Sequence, residues 1–387
     1  MAELNFPRPS FMDDEEIRMF EHSVIRFLEA EAPPERAEAW RRDGMVERDF
    51  WASAGRVGFL GVSIPEEYGG AGGDFRHDIV LIDQVVRNEA SGFAISLHNG
   101  IVSPYVLAHG TEEQKRRWLP RLANGEMIAA VAMSEPGVGS DLQKLRTSAK
   151  RDGEGYRING QKTFITNGQL ANFIVVAART GEGVGGRGVS LFIVDADEDE
   201  GFRRGRKLPK IGTPAQDTSE LFFDDVWVPA DRLLGLEEGR GFRQLMTELP
   251  RERLVIAIQA MAMIEVALEI TIDYVKERDV FGQKLIDFQN TQFKLAECKA
   301  DAMMARVFLN HCIERQFQGT LDTATSAMAK LRLANLQNRI VDECLQLHGG
   351  YGFMDEYAIG RMYKDARVTR IYGGTDEIMK LLIARSL

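Results

Sequence analysis

The sequence predicts an α+β protein in which helical, β and helical regions follow one another along the chain. Apolar residues such as Ile17, Phe20 and Val24 recur at helical spacing through the first part of the chain. Short apolar runs separated by turn residues begin near Met127, and a long apolar helix is expected after Gly241. We therefore expect three domains: an N-terminal helical domain (residues 1–125), a middle antiparallel β-barrel or sandwich (126–240) and a C-terminal four-helix bundle (241–387).

The N-terminal region divides at helix breakers and caps. Pro33-Pro34 is expected to end the first helix, and Asp49-Phe50-Trp51 to begin another. Thr111 is the expected N-cap of a helix over 112–122. The glycine-rich loop 65–73 lacks the Lys-Ser/Thr pair of a phosphate-binding P-loop, which excludes that type of nucleotide site.

The middle region alternates strands with turns and contains no segment of helix length. Residues 156–165 are predicted to form a hairpin whose turn is Asn159-Gly160, a dipeptide that two-residue hairpins favour. Further strands are expected at 173–177, 189–194, 221–223 and 226–228. The segment 183–188 matches the dinucleotide pattern G-x-G-x-x-G, but no helix follows it, so we interpret it as a hairpin tip.

Helices dominate again after the β region. The segment 254–274 is apolar around most of its circumference, and Glu265, Glu269 and Asp273 lie on one polar stripe. This pattern is typical of a helix buried inside a bundle. Further helices are expected at 288–317, 321–347 and 375–384.

Composition and charge argue against several classes of protein. The net charge is -10 and the sequence pI is about 5.3, which argues against a protein that grips nucleic-acid phosphates. The cysteines form no Cys-x-x-Cys pair and the histidines no metal-binding spacing, so we expect no metal site. The N-terminus lacks a signal-peptide pattern and no apolar run reaches the roughly 20 residues that span a bilayer. We therefore expect a cytoplasmic protein without a membrane span.

One carboxylate lies where the long helix is predicted to begin. The run Leu249-Pro250-Arg251-Glu252-Arg253 places Glu252 in the expected first turn. First-turn acids are common because the helix dipole favours them, so this position alone does not make Glu252 functional.

Four further segments could carry chemistry. The turn 132–141 offers backbone N–H groups and serine hydroxyls to a planar heterocycle or an anion, or it is an ordinary surface turn. Phe164-Ile165-Thr166 could form the wall of a flavin site, although a core phenylalanine beside a turn threonine is commoner. Arg278 could face a pyrophosphate or simply cap the long helix. The paired glycines in 346–353 allow close backbone approach, and the lone His348 is more often structural than catalytic.

Together, in this order and in a helical–β–helical frame, these segments resemble the acyl-CoA dehydrogenase family of flavoproteins. The resemblance extends over nearly the whole chain, as far as Ile378. It implies FAD as cofactor, an acyl-CoA as substrate and an electron-transferring flavoprotein as partner. It also implies a homotetramer in which neighbouring subunits share the FAD site.

The resemblance further implies which residues bind the ligands. The flavin ring would lie against Val131, Ala132, Met133, Ser134, Gly139, Ser140, Phe164, Ile165 and Thr166. The adenine-dinucleotide end would meet Arg278, Phe281, Gln289, Gln346, Leu347, His348, Gly349 and Gly350. Further flavin-contacting positions are Thr375, Asp376 and Glu377. The substrate would contact Ser140, Arg253, Tyr372, Gly373 and Gly374.

The catalytic base is where this sequence departs from the commonest pattern of the family. Many members carry the base directly after the tyrosine that is Tyr372 here, but the next residue in this chain is Gly373, which has no side chain. A smaller set, resembling the long-chain and isovaleryl enzymes, carries a glutamate at the position of Glu252. The resemblance thus implies that Glu252 removes the α-proton. A helix N-terminus and Arg253 would lower the pKa of Glu252 and burial would raise it; we expect burial to dominate once substrate is bound.

The function implied by the resemblance is the α,β-dehydrogenation of an acyl-CoA to the trans-2-enoyl-CoA. The alternatives are an acyl-CoA oxidase that uses oxygen, and a non-catalytic flavoprotein or nucleic-acid-associated relative of the same fold. Acyl chain length and branching are not readable from the sequence.

Overall fold

The computed structural model describes residues 4–181 and 185–387. The N-terminal region is helical, as predicted. Its helices are α1 (Glu15–Glu31), α2 (Pro34–Asp43), α3 (Arg48–Arg56), α4 (Phe75–Arg87), α5 (Ile95–Leu97), α6 (Ser103–His109) and α7 (Glu112–Ala123). A π-helical turn, His98–Val102, joins α5 to α6.

The predicted breaker and cap of this region are confirmed. Helix α1 ends at Glu31, and Pro34 is the first residue of α2. The Thr111 hydroxyl accepts a hydrogen bond from the Gln114 N–H at 3.3 Å, while the Gln114 side chain accepts from the Thr111 N–H at 3.0 Å. This reciprocal capping box fixes the start of α7.

The middle region is one curled sheet. Its strands are β1 (Ala129–Ala132), β2 (Ser148–Asp152), β3 (Gly155–Thr166), β4 (Phe173–Arg179), β5 (Val189–Asp195), β6 (Phe202–Lys207) and β7 (Thr218–Pro229). They pair in the order β1-β4-β2-β3-β7-β6, with β5 paired to β4. Most pairs are antiparallel as predicted, but β4 pairs in parallel with both β1 and β2.

The predicted hairpin turn at Asn159-Gly160 is wrong. Both residues lie inside the continuous strand β3, and the connection to β2 is made at Gly153 and Glu154 instead. The strand register shifts between Ile158 and Gly160. Gly160 has φ of +151°, and a Cβ on it would lie 2.5 Å from the Thr147 hydroxyl oxygen. Gly160 is therefore required by a close contact inside the sheet and not by a turn.

The G-x-G-x-x-G match lies partly outside the described residues. Gly183 and Val184 are not described. Gly185–Gly188 forms a short 3-10 turn that leads directly into β5. No helix N-terminus for a phosphate follows this turn, in agreement with the sequence analysis.

The C-terminal region is a helical bundle. Its elements are α8 (Gly241–Glu277), β8 (Asp279–Val280), β9 (Gln283–Lys284), α9 (Gln289–Phe317), α10 (Thr323–His348), α11 (Ala358–Ala366) and α12 (Asp376–Ala384). Helix α8 packs against α9, α10 and α4, and α10 packs against α12. The three helices predicted after α8 are confirmed to within two residues, whereas α11 was not predicted.

Helix α8 is the core element of the bundle. Most residues from Glu252 to Leu268 are buried in a cluster shared with α9, α10 and α4. The helix is long and apolar enough to cross a membrane by composition alone, but 78% of its most apolar window is buried inside the protein. Cys298, Cys312 and Cys344 are buried free thiols on α9 and α10.

Candidate functional site

The sequence analysis placed Glu252 in the first turn of its helix, and this prediction is wrong. Helix α8 begins at Gly241, so Glu252 is about three turns inside it at 3.6 residues per turn. Pro250 lies within the helix without ending it. A proline followed by an acid imitates a helix start, and here tertiary packing keeps the helix continuous through the proline. The helix dipole therefore does not act on Glu252 as expected.

Glu252 is a buried carboxylate with one strong partner. Its residue surface is 4% exposed, and Oε1 accepts a hydrogen bond from the Tyr105 hydroxyl at 2.5 Å. Desolvation raises the pKa of Glu252 to about 7, and the nearby Glu248 adds to the rise. The Tyr105 hydrogen bond and the positive charge of Arg253 act in the opposite direction. Burial thus outweighs the stabilising contacts even without a bound substrate.

Tyr105 comes from a helix that the sequence analysis did not predict. It lies on α6, is fully buried, and its own pKa is raised by desolvation and by Glu252. One turn further along α6, a ring nitrogen of His109 lies 3.0 Å from a carboxylate oxygen of Glu248. Helix α6 therefore contacts Glu248 and Glu252, which lie one turn apart on α8. The chain offers no local motif for these pairings, because they join residues more than 130 positions apart.

Two buried cations lie near this site. Arg253 is 4% exposed, and its Nε and Nη1 have no hydrogen-bond partner among the described residues. Lys330 of α10 is fully buried and donates to the carbonyl oxygen of Gly374 at 2.6 Å. Desolvation lowers the pKa of Lys330 to about 8, Asp376 opposes this shift and Arg253 adds to it. The unpaired nitrogens of Arg253 leave a donor set available to a ligand.

The loop Tyr372–Thr375 lies against α8 close to Glu252. Gly373 has φ of +62°, and a Cβ on it would lie 2.3 Å from Cδ1 of Ile256, one turn after Glu252. A side chain at 373 is therefore disfavoured by the backbone conformation, and it would also require the Ile256 side chain to move. The loop therefore packs on α8 one turn from Glu252, and the role of these residues in substrate binding stays a prediction.

The last residue of the loop and the two residues after it have structural contacts. Thr375 is the N-cap of α12, and its hydroxyl accepts from the Ile378 N–H at 3.4 Å. Asp376 is buried and forms an ion pair with Arg370 at 2.8 Å. Glu377 is exposed, and hydrogen bonds with its own backbone N–H and with Thr375 lower its pKa.

A second candidate group surrounds the turn after β1. The Ser134 carbonyl accepts from the Thr163 N–H at 3.0 Å, which ties the turn to β3. The neighbouring Glu135 is buried and forms an ion pair with the fully buried Lys162 at 3.0 Å. Glu135 also accepts the backbone N–H groups of residues 146 and 147 at 2.8 and 2.9 Å. These hydrogen bonds and the ion pair therefore fix the buried side of the turn.

The exposed side of the turn leaves its backbone accessible. A Cβ on Gly137 or Gly139 would meet no atom within 4 Å, and Ser140 is exposed. Val131, Met133 and Ser134 are half-buried. Ala132 is fully buried in the β core, so only its backbone could face a cofactor.

Phe164 is placed differently from a core phenylalanine. It lies at a register shift of β3, has φ of +60° and is 71% exposed. Ile165 is 2% exposed and packs in the β core, while Thr166 is half-buried. A non-glycine residue with positive φ and an exposed aromatic ring is a costly arrangement that points to a binding role.

A third group lies at the end of α8. Arg278 caps the helix, as one interpretation of the sequence held, and its guanidinium lies 5.6 Å from the centre of the Tyr351 ring. Phe281 has φ of +51° and is 96% exposed, and Gln289 is exposed at the start of α9. The segments 278–289 and 346–353 therefore meet on one surface.

His348 in this group is held by packing and by one hydrogen bond. It is 5% exposed and stacks on Tyr274 with ring centres 4.2 Å apart. One ring nitrogen lies 2.9 Å from the Cys344 carbonyl oxygen. Gly349 and Gly350 have open space where a Cβ would be, whereas Gln346 is exposed and Leu347 half-buried. The part of the chain that the structure describes contains no group of three or more metal-ligating side chains.

Comparison with known proteins covers almost the whole chain. Three family models match in order: acyl-CoA dehydrogenase N-terminal domain over residues 14–126, middle domain over 130–226 and C-terminal domain over 239–387. The long-chain specific acyl-CoA dehydrogenase of Sus scrofa mitochondria is 46% identical over 371 residues, which is 95% of this chain and 86% of that protein.

Solved structures agree with this result. An acyl-CoA dehydrogenase from Geobacillus kaustophilus superposes with a TM-score of 0.93 at 46% identity, covering 96% of this chain and 98% of that one. A chain from a structure described as an electron-transferring flavoprotein of Acidaminococcus fermentans superposes with a TM-score of 0.91 at 32% identity, covering 96% and 97%.

Proposed function

The chain belongs to the acyl-CoA dehydrogenase family, and from that premise we propose that it catalyses the FAD-dependent conversion of an acyl-CoA to the trans-2-enoyl-CoA. In this proposal Glu252 removes the α-proton of the thioester. The observation that carries the proposal is the buried Glu252 carboxylate, which has a pKa of about 7 and lies on α8 one turn before Ile256, the residue that contacts the loop at Gly373.

The environment of Glu252 suits proton abstraction from carbon. A general base works best when its pKa lies near the working pH, and an ordinary glutamate at 4.5 is too weak a base for this purpose. Burial supplies the increase, and the Tyr105 hydroxyl holds Oε1 in one orientation. Because no described residue forms an ion pair with Glu252 at contact distance, its carboxylate remains available to substrate.

The Gly373 loop offers a donor for the thioester oxygen. As the α-proton leaves, negative charge develops on that oxygen and must be stabilised by N–H or O–H groups. The Gly373 N–H is available for this role, and the bond from Lys330 to the Gly374 carbonyl fixes the loop that carries it. The buried Arg253, whose Nε and Nη1 lack partners among the described residues, adds positive charge nearby.

The chain also suits FAD. The open backbone at Gly137 and Gly139, the exposed Phe164 ring and the Thr166 hydroxyl together offer hydrogen-bond donors and an aromatic wall to a planar ring. Arg278, Phe281 and Gln289 form a second surface for the charged, adenine-bearing end. When bound, FAD supplies the acceptor for the β-hydride.

Electron-transferring flavoprotein is the partner that we propose, with a homotetramer in the cytoplasm as the working form. The similarity to the Acidaminococcus chain supports the partner. Exposed apolar side chains on α9, namely Phe293, Met304 and Val307, support burial of this helix against another subunit.

Anaerobic titration with acyl-CoA thioesters tests the proposal. We expect the flavin absorbance to bleach with at least one acyl-CoA and the electrons to pass to an electron-transferring flavoprotein. If no acyl-CoA bleaches the flavin, the proposed activity is wrong. Substrate-dependent peroxide without an acceptor protein would show the oxidase instead, and salt-sensitive DNA binding without bleaching would show the non-catalytic relative.

A further inference from the structure

The proton that Glu252 accepts has to leave a closed site. A protonated Glu252 cannot abstract a second proton, so it must lose its proton once in every turnover. Its residue surface is only 4% exposed, and a bound acyl-CoA would cover the side that faces the substrate. Bulk water therefore has little direct access to this carboxylate, and neighbouring groups have to provide the route by which the proton leaves.

Among the groups that act on Glu252, Glu248 is the one that can take up a proton. The pKa of Glu252 responds to Tyr105, Glu248 and Arg253. The Arg253 guanidinium is already fully protonated. The Tyr105 hydroxyl, whose pKa is raised well above its ordinary value by desolvation, donates its own proton to Oε1 of Glu252. Glu248 lies four residues before Glu252 on α8, and at this spacing two Cβ atoms are about 5–6 Å apart, close enough for the carboxylates to exchange a proton across one water.

Two pairs of side chains connect α6 to this stretch of α8. The inner pair is Tyr105 and Glu252. The outer pair is His109 and Glu248, in which a ring nitrogen and a carboxylate oxygen lie 3.0 Å apart. The two pairs are separated by four residues on both helices, and the ring centres of Tyr105 and His109 are 6.3 Å apart. The pairs are therefore neighbouring turns of one contact between the helices.

Exposure increases from the inner pair to the outer pair. Tyr105 is completely buried, whereas the side chains of His109 and Glu248 are 16% and 13% exposed. His109 is also the last residue of α6. An imidazole that reaches solvent is well suited to carry protons near neutral pH, because it accepts at one ring nitrogen and releases at the other.

A polar position continues beyond the outer pair. Gln244 lies one turn before Glu248 on α8 and is 8% exposed. Its Nε2 donates to the Leu234 carbonyl oxygen at 3.2 Å, but its Oε1 has no hydrogen-bond partner among the described residues. A Cβ on Gly235 would lie 2.8 Å from the His109 carbonyl oxygen and 3.4 Å from Nε2 of Gln244, so His109 and Gln244 border the same loop. An unpartnered buried acceptor beside the outer pair provides a position for an ordered water.

We propose that Glu248 and His109 carry the proton of Glu252 to solvent. The α C–H bond breaks and its proton binds the Glu252 carboxylate, while the β-hydrogen leaves with its electron pair to the flavin. The proton then moves to the Glu248 carboxylate and from there to one ring nitrogen of His109, whose other ring nitrogen releases a proton to water. Glu252 is left ionised for the next substrate.

This inference rests on the proposed dehydrogenase activity and deepens it. Glu248 and His109 are positioning residues, because they act on the proton through Glu252 and not on the substrate. Their removal should therefore slow repeated turnover and leave the first proton abstraction intact.

The test separates the first turnover from continuous turnover. Anaerobic bleaching of the flavin requires Glu252 to accept one proton, whereas turnover with excess one-electron dye requires that proton to leave in every cycle. Both rates are measured with an acyl-CoA that bleaches the wild-type flavin, at a pH above the acid limb of each variant. For Glu248→Gln and for His109→Ala we expect bleaching within about twofold of wild type and turnover at least about tenfold slower. This loss is smaller than the roughly 10²–10⁴-fold effect of a base that acts on the substrate, because water and buffer still carry some protons.

Added imidazole provides a readout that a purely structural role would not change. It replaces the missing ring as a proton acceptor, so turnover of His109→Ala should rise with imidazole concentration and level off, while the rate of bleaching stays constant. His22→Ala, at an exposed position of α1, is the matched control and should keep both wild-type rates.

Either variant carries the test if the other does not fold. The inference is overturned if the folded variants keep wild-type turnover, or if bleaching falls as much as turnover, since the pair would then act on the chemistry or on the fold. It is also overturned if imidazole leaves the turnover of His109→Ala unchanged. If the wild-type protein bleaches with no acyl-CoA at all, it is the proposed function that fails.

Discussion

Replacement of Glu252 by glutamine should make the protein more stable, by an amount that grows with pH. Folding buries this carboxylate and raises its pKa from 4.5 to about 7. A raised folded-state pKa means that the favourable contribution of the group is complete below pH 4.5 and is lost as the pH rises through 7. Glutamine resembles the protonated acid and never ionises, so the variant avoids this loss.

The magnitude follows from the pKa difference. The rise in pKa from 4.5 to about 7 corresponds to about 3 kcal/mol at pH 8, because each tenfold change in the ionisation constant is about 1.36 kcal/mol. At pH 5, where little of the shift is expressed, the same calculation gives about 1 kcal/mol or less. The side-chain amide oxygen that Glu252→Gln introduces can still accept the Tyr105 hydroxyl, so the hydrogen bond does not confound the comparison.

Urea unfolding of Glu252→Gln and wild type at pH 5 and pH 8 measures this difference. Protein and flavin concentrations must be equal and acyl-CoA absent, since ligands and assembly shift apparent stability. Glu29→Gln, at an exposed position of α1, controls for the loss of one negative charge. The same stability difference at both pH values would refute the burial argument, because a solvated Glu252 whose pKa is not raised by folding predicts no pH-dependent gain.

The remaining predictions concern the neighbours of Glu252 and the turn after β1. Tyr105→Phe removes a hydrogen bond that lowers the pKa of Glu252, so the acid limb of the pH profile of kcat/KM should move to higher pH. An unchanged profile would mean that a group other than Glu252 titrates there. Glu248→Gln removes a negative charge that raises the same pKa, so the limb should move to lower pH in the same pH–rate measurement. Lys162→Met leaves the buried Glu135 carboxylate unpaired, which costs about 3–5 kcal/mol. We expect a lower melting temperature and a reduced flavin-to-protein ratio in this variant, and adding Glu135→Gln should partly restore both. Intact flavin binding in the single variant would contradict the idea that the pair positions the turn after β1.

Periodicity and family motifs predicted the three-region architecture and pointed to Glu252 as the candidate base, but they misplaced it within its helix. They failed where local patterns imitate other structures. Asn159-Gly160 has hairpin composition, yet it lies inside β3 because Gly160 is required for close contact with Thr147. Pro250 has the composition of a helix start, yet α8 continues through it, with the buried Gln244 and Leu245 before it and a buried run from Glu252 after it.

The partners of Glu252 could not be predicted because they depend on tertiary packing. Tyr105 lies on a short helix next to a π-helical turn, which has no periodic signal of its own. Its contact with Glu252 spans 147 residues of sequence. The same holds for the buried pair of Lys162 and Glu135, because neither residue belongs to a recognisable motif for ion pairing.

The rate of anaerobic flavin reduction in Glu252→Gln tests the central claim most directly. The variant should first be shown to be folded and to retain FAD, so that a loss of rate reports on proton abstraction alone. A positioned general base contributes about 10²–10⁴-fold, and we predict a loss of at least that size with an acyl-CoA that the wild type oxidises. Flavin reduction at near the wild-type rate would show that Glu252 is not the base.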